Sequence, residues 1–264
     1  MFLLELPIRP EAFGFKDIQG GAHNARTLML RELTRLLEAT PLQAARQDYR
    51  TAVVEHNVLG KGTYRSRRLT FDHLVALYGL DGHYCLFRAA RRLWRHDAAA
   101  RPLLALQLAL ARDGLLRESA ARVVPMAPGE TLDTAAMMAF FEDRHGHRFT
   151  PNTLRSLAQN VNSSWTQAGF LHGVRRKVRR QPAATPANAA YALLQGYLTG
   201  CDGALLLGSG WCRLLGQPRE TLLALCYHAS VQGLLVFRRT GEVMEFRFPG
   251  YLTPEEERWR NEPH

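Results

Sequence analysis

Cysteine is scarce in this chain, with four residues in 264, and none of the four lies in the closely spaced pairs that bind zinc. The absence of such pairs argues against a structural zinc site. Nothing in the sequence marks the chain as secreted. We therefore expect Cys85, Cys201, Cys212 and Cys226 to be reduced thiols in a cytoplasmic protein.

Long apolar runs are also missing. No segment approaches the roughly 20 apolar residues that a membrane-spanning helix needs. The richest run, residues 102–111, contains Gln107 and predicts a buried helix instead. Residues 1–6 are interrupted by Glu5 and lack the charged start and long apolar core of a signal peptide, so we expect no membrane partner.

Lysine is rare as well: of the 34 basic residues only Lys16, Lys61 and Lys177 are lysines, and the rest are arginines. The formal net charge is +10 and the pI is about 9.9. Guanidinium groups form paired hydrogen bonds with phosphates and guanine edges, and net charge bears on partners rather than on fold. The composition therefore favours a nucleic-acid partner, although GC-rich coding also yields arginine-rich proteins.

Residues 150–168 have the pattern of an amphipathic helix. Thr150 suits the N-cap, Pro151 suits the first turn, and Gly169 ends the helix. Apolar residues repeat at helical spacing on one face, at Leu154, Leu157, Ala158, Val161, Trp165 and Ala168. The opposite face is polar and carries Asn152, Arg155, Gln159, Asn162 and Ser163.

A dense basic segment follows this helix and consists of Arg175, Arg176, Lys177, Arg179 and Arg180. We predict that Phe170 and Leu171 pack under the helix end while the basic segment projects outward. Such an arrangement suits the phosphate backbone of a nucleic acid, with Arg155 on the helix as a further contact. A solvated charged loop is the alternative interpretation, since a local charge run is usually just surface.

A second basic cluster lies at the predicted start of another helix and contains Lys61, Tyr64, Arg65, Arg67 and Arg68. The helix itself is indicated by apolar residues at Leu69, Phe71, Leu74, Val75 and Leu77. Helix N-termini favour phosphate groups, so this cluster predicts a second nucleic-acid contact.

Helical segments at 204–215 and 218–231 precede two predicted strands, 234–239 and 242–248, which flank Thr240 and Gly241. Helices followed by a hairpin indicate a winged helix. In that arrangement Arg238 and Arg239 would reach a minor groove or the DNA backbone. The alternative is a hairpin that only closes the C-terminal core.

The sequence also predicts several other helix starts and the buried face of a further helix. Thr-Pro pairs at 40–41, 150–151 and 185–186 predict three helix starts. A helix over 84–95 is expected to bury its apolar residues and to direct outward Arg88, Arg91, Arg92 and Arg95.

These patterns predict a mainly α protein, a multi-helix bundle followed by helix-turn-helix or winged-helix-like units with a small C-terminal β-hairpin. Five parts are expected: an irregular N-terminal arm (1–23), an N-terminal helical domain (24–127), a helical DNA-binding-like unit with the basic segment (128–200), a winged-helix-like unit (201–250) and a charged tail (251–264). Glu255, Glu256 and Glu257 in the tail would repel nucleic acid.

Catalytic motifs fit the sequence poorly. The stretch LGKGT at 59–63 departs from a P-loop, because Gly62 follows Lys61 where serine or threonine is required and Glu55 occupies the earlier glycine position. Ser209 lies between two glycines but outside a convincing nucleophile motif.

A metal-dependent nuclease is a further alternative. Its candidate ligands are Glu142, Asp143, His145 and His147, since carboxylates and imidazoles bind metals. Polar residues at a helix end are far more often a solvated terminus. We therefore expect no enzyme, no cofactor and no metal.

Three stretches resemble the BrxA family of BREX bacteriophage-defence systems, and they read NVLGKGTYRSRRLTFDHLVALY, FTPNTLRSLAQNVNSSWTQAGFLHG and ETLLALCYHASVQGLLVFRRTGEVMEFRF. The resemblance covers roughly residues 24–248. It implies a mostly helical, cytoplasmic, non-enzymatic DNA-binding protein encoded beside a methyltransferase, an ATPase and other defence components. The family's basic segments correspond to Arg65, Arg67 and Arg68 and to residues 175–180.

We therefore predict a non-enzymatic component of phage defence that binds double-stranded DNA through arginine-rich segments, with other defence proteins as further candidate partners. The runner-up is a scaffold or assembly subunit of a defence complex without direct nucleic-acid binding. RNA binding has little support, because no ribonucleoprotein signature is present.

Overall fold

The computed structural model describes residues 2–16 and 21–262. The α-helices are α1 (Pro10–Phe13), α2 (Leu30–Glu38), α3 (Arg46–Arg50), α4 (Tyr64–Tyr78), α5 (Cys85–His96), α6 (Arg101–Arg112), α7 (Gly114–Val123), α8 (Thr134–His145), α9 (Pro151–Gln167), α10 (Pro186–Leu198), α11 (Gly210–Leu214), α12 (Arg219–Val231) and α13 (Pro254–Asn261). Short 3-10 helices lie at Ala22–Asn24, Gly146–Arg148 and Gly203–Gly208, and a π-helical turn at Thr51–Glu55. The predicted mainly α fold is confirmed.

Within the described residues, five short strands accompany the helices: β1 (Thr131–Leu132), β2 (Leu171–His172), β3 (Lys177–Arg179), β4 (Val236–Thr240) and β5 (Val243–Arg247). The hairpin β4–β5 is antiparallel, with Thr240 opposite Val243, and confirms the predicted C-terminal hairpin. The other three strands form a sheet in the order β1-β3-β2 that was not predicted. Two or three residues are too few to show the alternation by which a strand is recognised.

Buried apolar residues form one cluster that runs from Leu4 to Tyr251. Its centre is α6, whose residues 103–112 are all buried. Gln107 on α6 donates to Asn188 O at 3.1 Å, and Gln195 Nε2 donates to Gln107 O at 3.1 Å, so α10 is tied to α6 by polar contacts within the core. Segments on both sides of the predicted boundary at 127 therefore share one core, and the domain division stays a prediction.

Two of the three predicted Thr-Pro helix starts are confirmed, because α9 begins at Pro151 and α10 at Pro186. The start at Thr40 is wrong. The Thr40 hydroxyl donates to Leu36 O at 2.8 Å at the end of α2, and the next helix begins only at Arg46. A Thr-Pro start that was not predicted opens α13, where Thr253 caps Pro254–Asn261.

The predicted face of α5 is confirmed for its apolar residues but wrong for Arg91, which is 6% exposed. Its Nη2 donates to Thr40 O at 2.6 Å, so the arginine joins α5 to the end of α2. Burial lowers the pKa of Arg91. An arginine on the polar face of a predicted helix can thus be buried when it donates a hydrogen bond to a backbone carbonyl of another segment.

Both ends of the described chain lie against the body. Trp211 Nε1 donates to Glu5 O at 3.0 Å, and the rings of Phe13 and Trp259 meet edge to face at 6.4 Å. The predicted charged tail contains helix α13, in which Glu256 is 3% exposed and forms an ion pair with Arg88. One of its three consecutive glutamates is therefore neutralised inside the protein.

The four thiols differ in accessibility. Burial raises the pKa of Cys85, Cys212 and Cys226 to about 12, whereas Cys201 is only half-buried. We expect an aromatic disulfide reagent at pH 8 to modify one thiol per native chain and four after denaturation, because the thiolate is the nucleophile. Rapid modification of three or more thiols in the native protein would contradict this burial.

None of the helices in residues 2–16 and 21–262 has the length and apolar character needed to cross a membrane.

Candidate nucleic-acid interface

Residues 114–180 form a winged-helix-like unit. Helix α7 leads through β1 into α8 and α9, and the antiparallel hairpin β2–β3 follows, with β3 in the centre of the sheet. Leu132 pairs with Lys177, and Leu171 pairs with Arg179. The basic segment that was predicted to project outward therefore forms part of the hairpin of this unit, here called the wing. The helices α11 and α12 followed by β4–β5 give the C-terminal region the helix-hairpin pattern that was predicted there.

Helix α9 forms as its sequence predicts. Thr150 Oγ1 accepts from Thr153 N at 3.3 Å, and Pro151 occupies the first turn. Trp165 is fully buried, donates to Ser119 Oγ at 2.8 Å and packs edge to face on Phe170 at 4.8 Å. The predicted packing of Phe170 and Leu171 under the helix end is confirmed, since both are buried.

The solvent-facing side of α9 is polar and is formed by Asn152, Arg155, Ser156 and Gln159. Asn162 was predicted on this face but is 2% exposed, and its Nδ2 lies 3.5 Å from Asp133 O. The remaining flank of α9 is covered by the N-terminal segment, because Asn160 Nδ2 donates to His23 O at 2.9 Å. One stripe of the helix is left for a partner.

The wing tip is a tight turn at residues 173–176. Gly173 has φ +107°, and a Cβ there would come within 2.5 Å of the Arg176 carbonyl oxygen, so the turn requires glycine. Val174 is 89% exposed, and Arg175 and Arg176 are exposed beside it. Arg176 Nη2 makes one contact, 3.3 Å from Thr131 Oγ1. The tip therefore presents two guanidinium groups to solvent.

Lys177 and Arg179 do not project from the wing as predicted. Lys177 Nζ donates to Gly173 O at 2.7 Å and closes the turn. Arg179 is 3% exposed, its guanidinium lies 4.9 Å from the Phe170 ring centre, and its Nε donates to Val123 O at 3.3 Å. Burial lowers the pKa of both side chains. Strand alternation explains the difference, because Arg179 faces the core while its neighbour Arg180 is exposed.

A buried polar network holds α9 against α7 and the N-terminal segment. His23 Nδ1 lies 2.8 Å from Asp113 Oδ2, and His23 Nε2 lies 2.9 Å from Ser164 Oγ. Asp113 also accepts from Leu116 N at 2.9 Å and so caps α7. The order serine, histidine, aspartate resembles a hydrolase triad, but His23 and Ser164 are fully buried and Ser164 Oγ donates to Asn160 O. The network serves packing.

The second basic cluster surrounds the start of α4 as predicted. Tyr64, Arg65 and Arg68 are exposed, and Thr63 caps the helix by accepting from Ser66 N at 3.1 Å. Lys61 forms an ion pair with Glu32 at 2.9 Å. Arg67 is half-buried and donates to Val54 O at 2.7 Å, so it joins α4 to the preceding π-helical turn.

The C-terminal hairpin carries charges of both signs. Arg238 and Arg239 are exposed, and Arg239 Nε donates to Gly241 O at 3.0 Å. Glu245 pairs with Arg238 across the strands and forms an ion pair with Arg247. This hairpin is therefore less positive than the wing at 173–176.

The charged residues in the sequence that contains α9 and its wing are all positive. Residues 144–201 contain neither aspartate nor glutamate, while they include Arg144, Arg148, Arg155, Arg175, Arg176, Lys177, Arg179 and Arg180. Within the described parts of the chain, neither Arg155 nor the two wing-tip arginines has an ion pair. This 58-residue gap in acidic residues is a signal that was not used in the prediction, although it is visible in the sequence alone.

Two of the residues considered for catalysis, His145 and Ser209, have structural partners. His145 Nε2 lies 2.7 Å from Glu118 Oε2, and the buried Ser209 caps α11 by accepting from Cys212 N at 3.2 Å. Asn57 closes the loop before Gly62 through hydrogen bonds to both backbone groups of Lys61. Over residues 2–16 and 21–262, no three His, Cys, Asp or Glu side chains come together in a way that could hold a metal ion.

No protein-family model matches this chain, and no curated protein matches it at a significant level.

Proposed function

We propose that this protein binds duplex DNA without catalysis, through the exposed stripe of α9 and the wing at 173–176, here called the α9–wing surface. The observation that supports this proposal most directly is that a helix with a polar, solvent-facing side is followed by a hairpin with exposed arginines. Both lie within residues 144–201, which contain no aspartate or glutamate. The resemblance to the BrxA family supports a cytoplasmic role in bacterial phage defence.

The dimensions of α9 suit a major groove. Its 17 residues correspond to about 25 Å of helix, and a groove about 12 Å wide admits one α-helix. Asn152, Arg155 and Gln159 offer the donors and acceptors that read base edges. Arg175 and Arg176 at the wing tip can meet the neighbouring phosphates, which set position rather than sequence preference.

Binding of wild type to a random-sequence labelled duplex across a salt series tests the proposal. The matching variant is Arg155→Gln/Arg175→Gln/Arg176→Gln, which leaves the buried Arg179 untouched. We expect steep salt dependence for wild type and a slope smaller by about 2.7 in the variant, since each lost phosphate contact removes about 0.9. That value is an upper limit if Arg155 contacts a base.

The control replaces three exposed arginines on other elements, Arg95 on α5, Arg219 on α12 and Arg258 on α13, and so removes the same net charge. An equal loss of affinity in variant and control would assign binding to net charge alone. Absence of binding by folded wild type would overturn the proposal.

A scaffold function is the second candidate, and the outer face of α12 favours it. Tyr227 is 46% exposed and Val231 is 86% exposed on this face. The helix that precedes the C-terminal hairpin thus presents apolar groups where α9 presents polar ones. Protein partners in a defence complex would be the expected ligands if wild type failed to bind DNA.

A further inference from the structure

A polar hollow of about 230 Å³ lies between α2 and the loop that precedes α4. Its lining is formed by Arg31, Glu32, Arg35, Leu59, Gly60 and Lys61. Lys61 is one of the predicted nucleic-acid contacts, whereas Arg31 and Arg35 are not. The hollow contains three cationic side chains and a single carboxylate.

That carboxylate is already engaged, because Glu32 forms an ion pair with Lys61 at 2.9 Å. Arg31 and Arg35 are exposed, stand four residues apart on one face of α2, and have no ion pair within the described chain. Like charges at this spacing disfavour the helix. Two guanidinium groups without an ion-pair partner therefore line one hollow, although attraction to Glu32 partly offsets the charge of Arg31. An anion placed there would relieve the repulsion between the two arginines.

The loop on the other side of the hollow is firmly held. Asn57 adopts φ +51°, accepts from Lys61 N at 2.7 Å and donates to Lys61 O at 3.0 Å. Gly60, at φ +67°, has open space where a Cβ would stand. The wall is thus preorganised, and nothing on it obstructs a ligand.

The element that carries the hollow, α2, begins at the C-terminal end of α9. Leu30, which begins α2 and precedes Arg31, donates its backbone N–H to Gln167 Oε1 at 3.3 Å, and Gln167 is the last residue of α9. The first turn of α2, which carries Arg31, therefore lies at the C-terminal end of the helix proposed to enter the groove. A duplex that extends past α9 would bring its phosphates towards this hollow.

We propose that the α2 hollow binds a backbone phosphate of the same duplex through Arg31 and Arg35, with Lys61 completing its cationic wall. The inference rests on the proposed function and extends the DNA contact beyond residues 114–180. It makes the affinity depend on duplex length, because a short duplex seated on α9 would not reach the hollow.

The test compares wild type, Arg31→Gln/Arg35→Gln and the charge-matched control Arg95→Gln/Arg258→Gln on labelled duplexes of 12 and 30 base pairs. We expect the double variant to bind the 30-base-pair duplex about tenfold more weakly than the control, with a salt slope smaller by about 1.8. On the 12-base-pair duplex the two variants should bind equally. The thermal midpoint of the double variant should equal or slightly exceed that of the control, since the replaced side chains are exposed and the repulsion between Arg31 and Arg35 is removed.

The results distinguish a failure of the α2 hollow as a phosphate site from a failure of the proposed function. Equal binding of the 30-base-pair duplex by the double variant and its control overturns the α2 hollow as a phosphate site, while salt-dependent binding by wild type leaves the proposed function in place. No binding by wild type overturns both. Pyrophosphate is an independent probe: at matched ionic strength it should raise the thermal midpoint of wild type more than that of the double variant.

Discussion

Replacement of Asp113 by alanine is expected to destabilise the protein by about 3–5 kcal/mol, because it leaves a buried histidine without its carboxylate partner. Asp113 is 1% exposed and accepts from His23 Nδ1, His23 N and Leu116 N. A chain of this size should show a fall of about 10 °C in its thermal midpoint. Thermal unfolding followed by circular dichroism would measure the shift.

Asp133→Ala is the matched control. Asp133 caps α8 by accepting from Ala136 N at 2.8 Å, but it is exposed and has no buried histidine beside it. Loss of such a cap costs about 1 kcal/mol. Equal midpoint shifts in the two variants would show that the Asp113 effect is capping alone and that the contact with His23 adds nothing.

The same carboxylate predicts a pH dependence. Burial acts to raise the pKa of Asp113, but attraction to His23 and hydrogen bonds from His23 and Leu116 outweigh it and hold the pKa below its usual value. A lowered pKa in the folded state stabilises the protein above the unfolded value of about 3.9, and this stabilisation is lost as the pH falls through the folded value. The stability difference between wild type and Asp113→Asn should therefore shrink as the pH falls below about 4.

Helix α9 shows how far the sequence alone can lead. Thr150, Pro151 and the apolar residues up to Trp165 define both its start and its buried face, because a helix of 17 residues repeats its pattern several times. The wing could not be predicted in the same way. Strands β2 and β3 contain two and three residues, so their alternation is too short to be distinguished from a charged loop.

Long-range partners account for the remaining differences in the candidate site. Asn162 and Arg91 belong to polar helix faces in the sequence, yet each is buried against a carbonyl group contributed by a distant segment. Similarly, His23 lies 141 residues before Ser164, with which it shares a hydrogen bond. No local pattern contains such pairs, because they exist only once the elements have packed together.

Variants of Arg179 and Arg180 can distinguish an effect on folding from an effect on DNA binding, because the two residues are adjacent in sequence but Arg179 is buried and Arg180 is exposed. Arg179→Ala should destabilise the protein by about 2–4 kcal/mol, because it removes a buried guanidinium from the Phe170 ring and one of the two donors to Val123 O, the other being Met126 N. Arg180→Ala removes an exposed side chain and should change stability by less than about 0.5 kcal/mol.

For duplex binding we expect the opposite order, with a larger effect of Arg180→Ala than of Arg179→Ala. If Arg180 contacts a phosphate at the base of the wing, Arg180→Ala lowers the salt slope by about 0.9, whereas folded Arg179→Ala, measured well below its thermal midpoint, keeps the slope of wild type. Neutralising the whole segment 175–180 would combine these effects, so that a loss of binding could reflect a misfolded wing. A reduced slope in folded Arg179→Ala would contradict its placement in the core, because a side chain that is 3% exposed has no path to a phosphate.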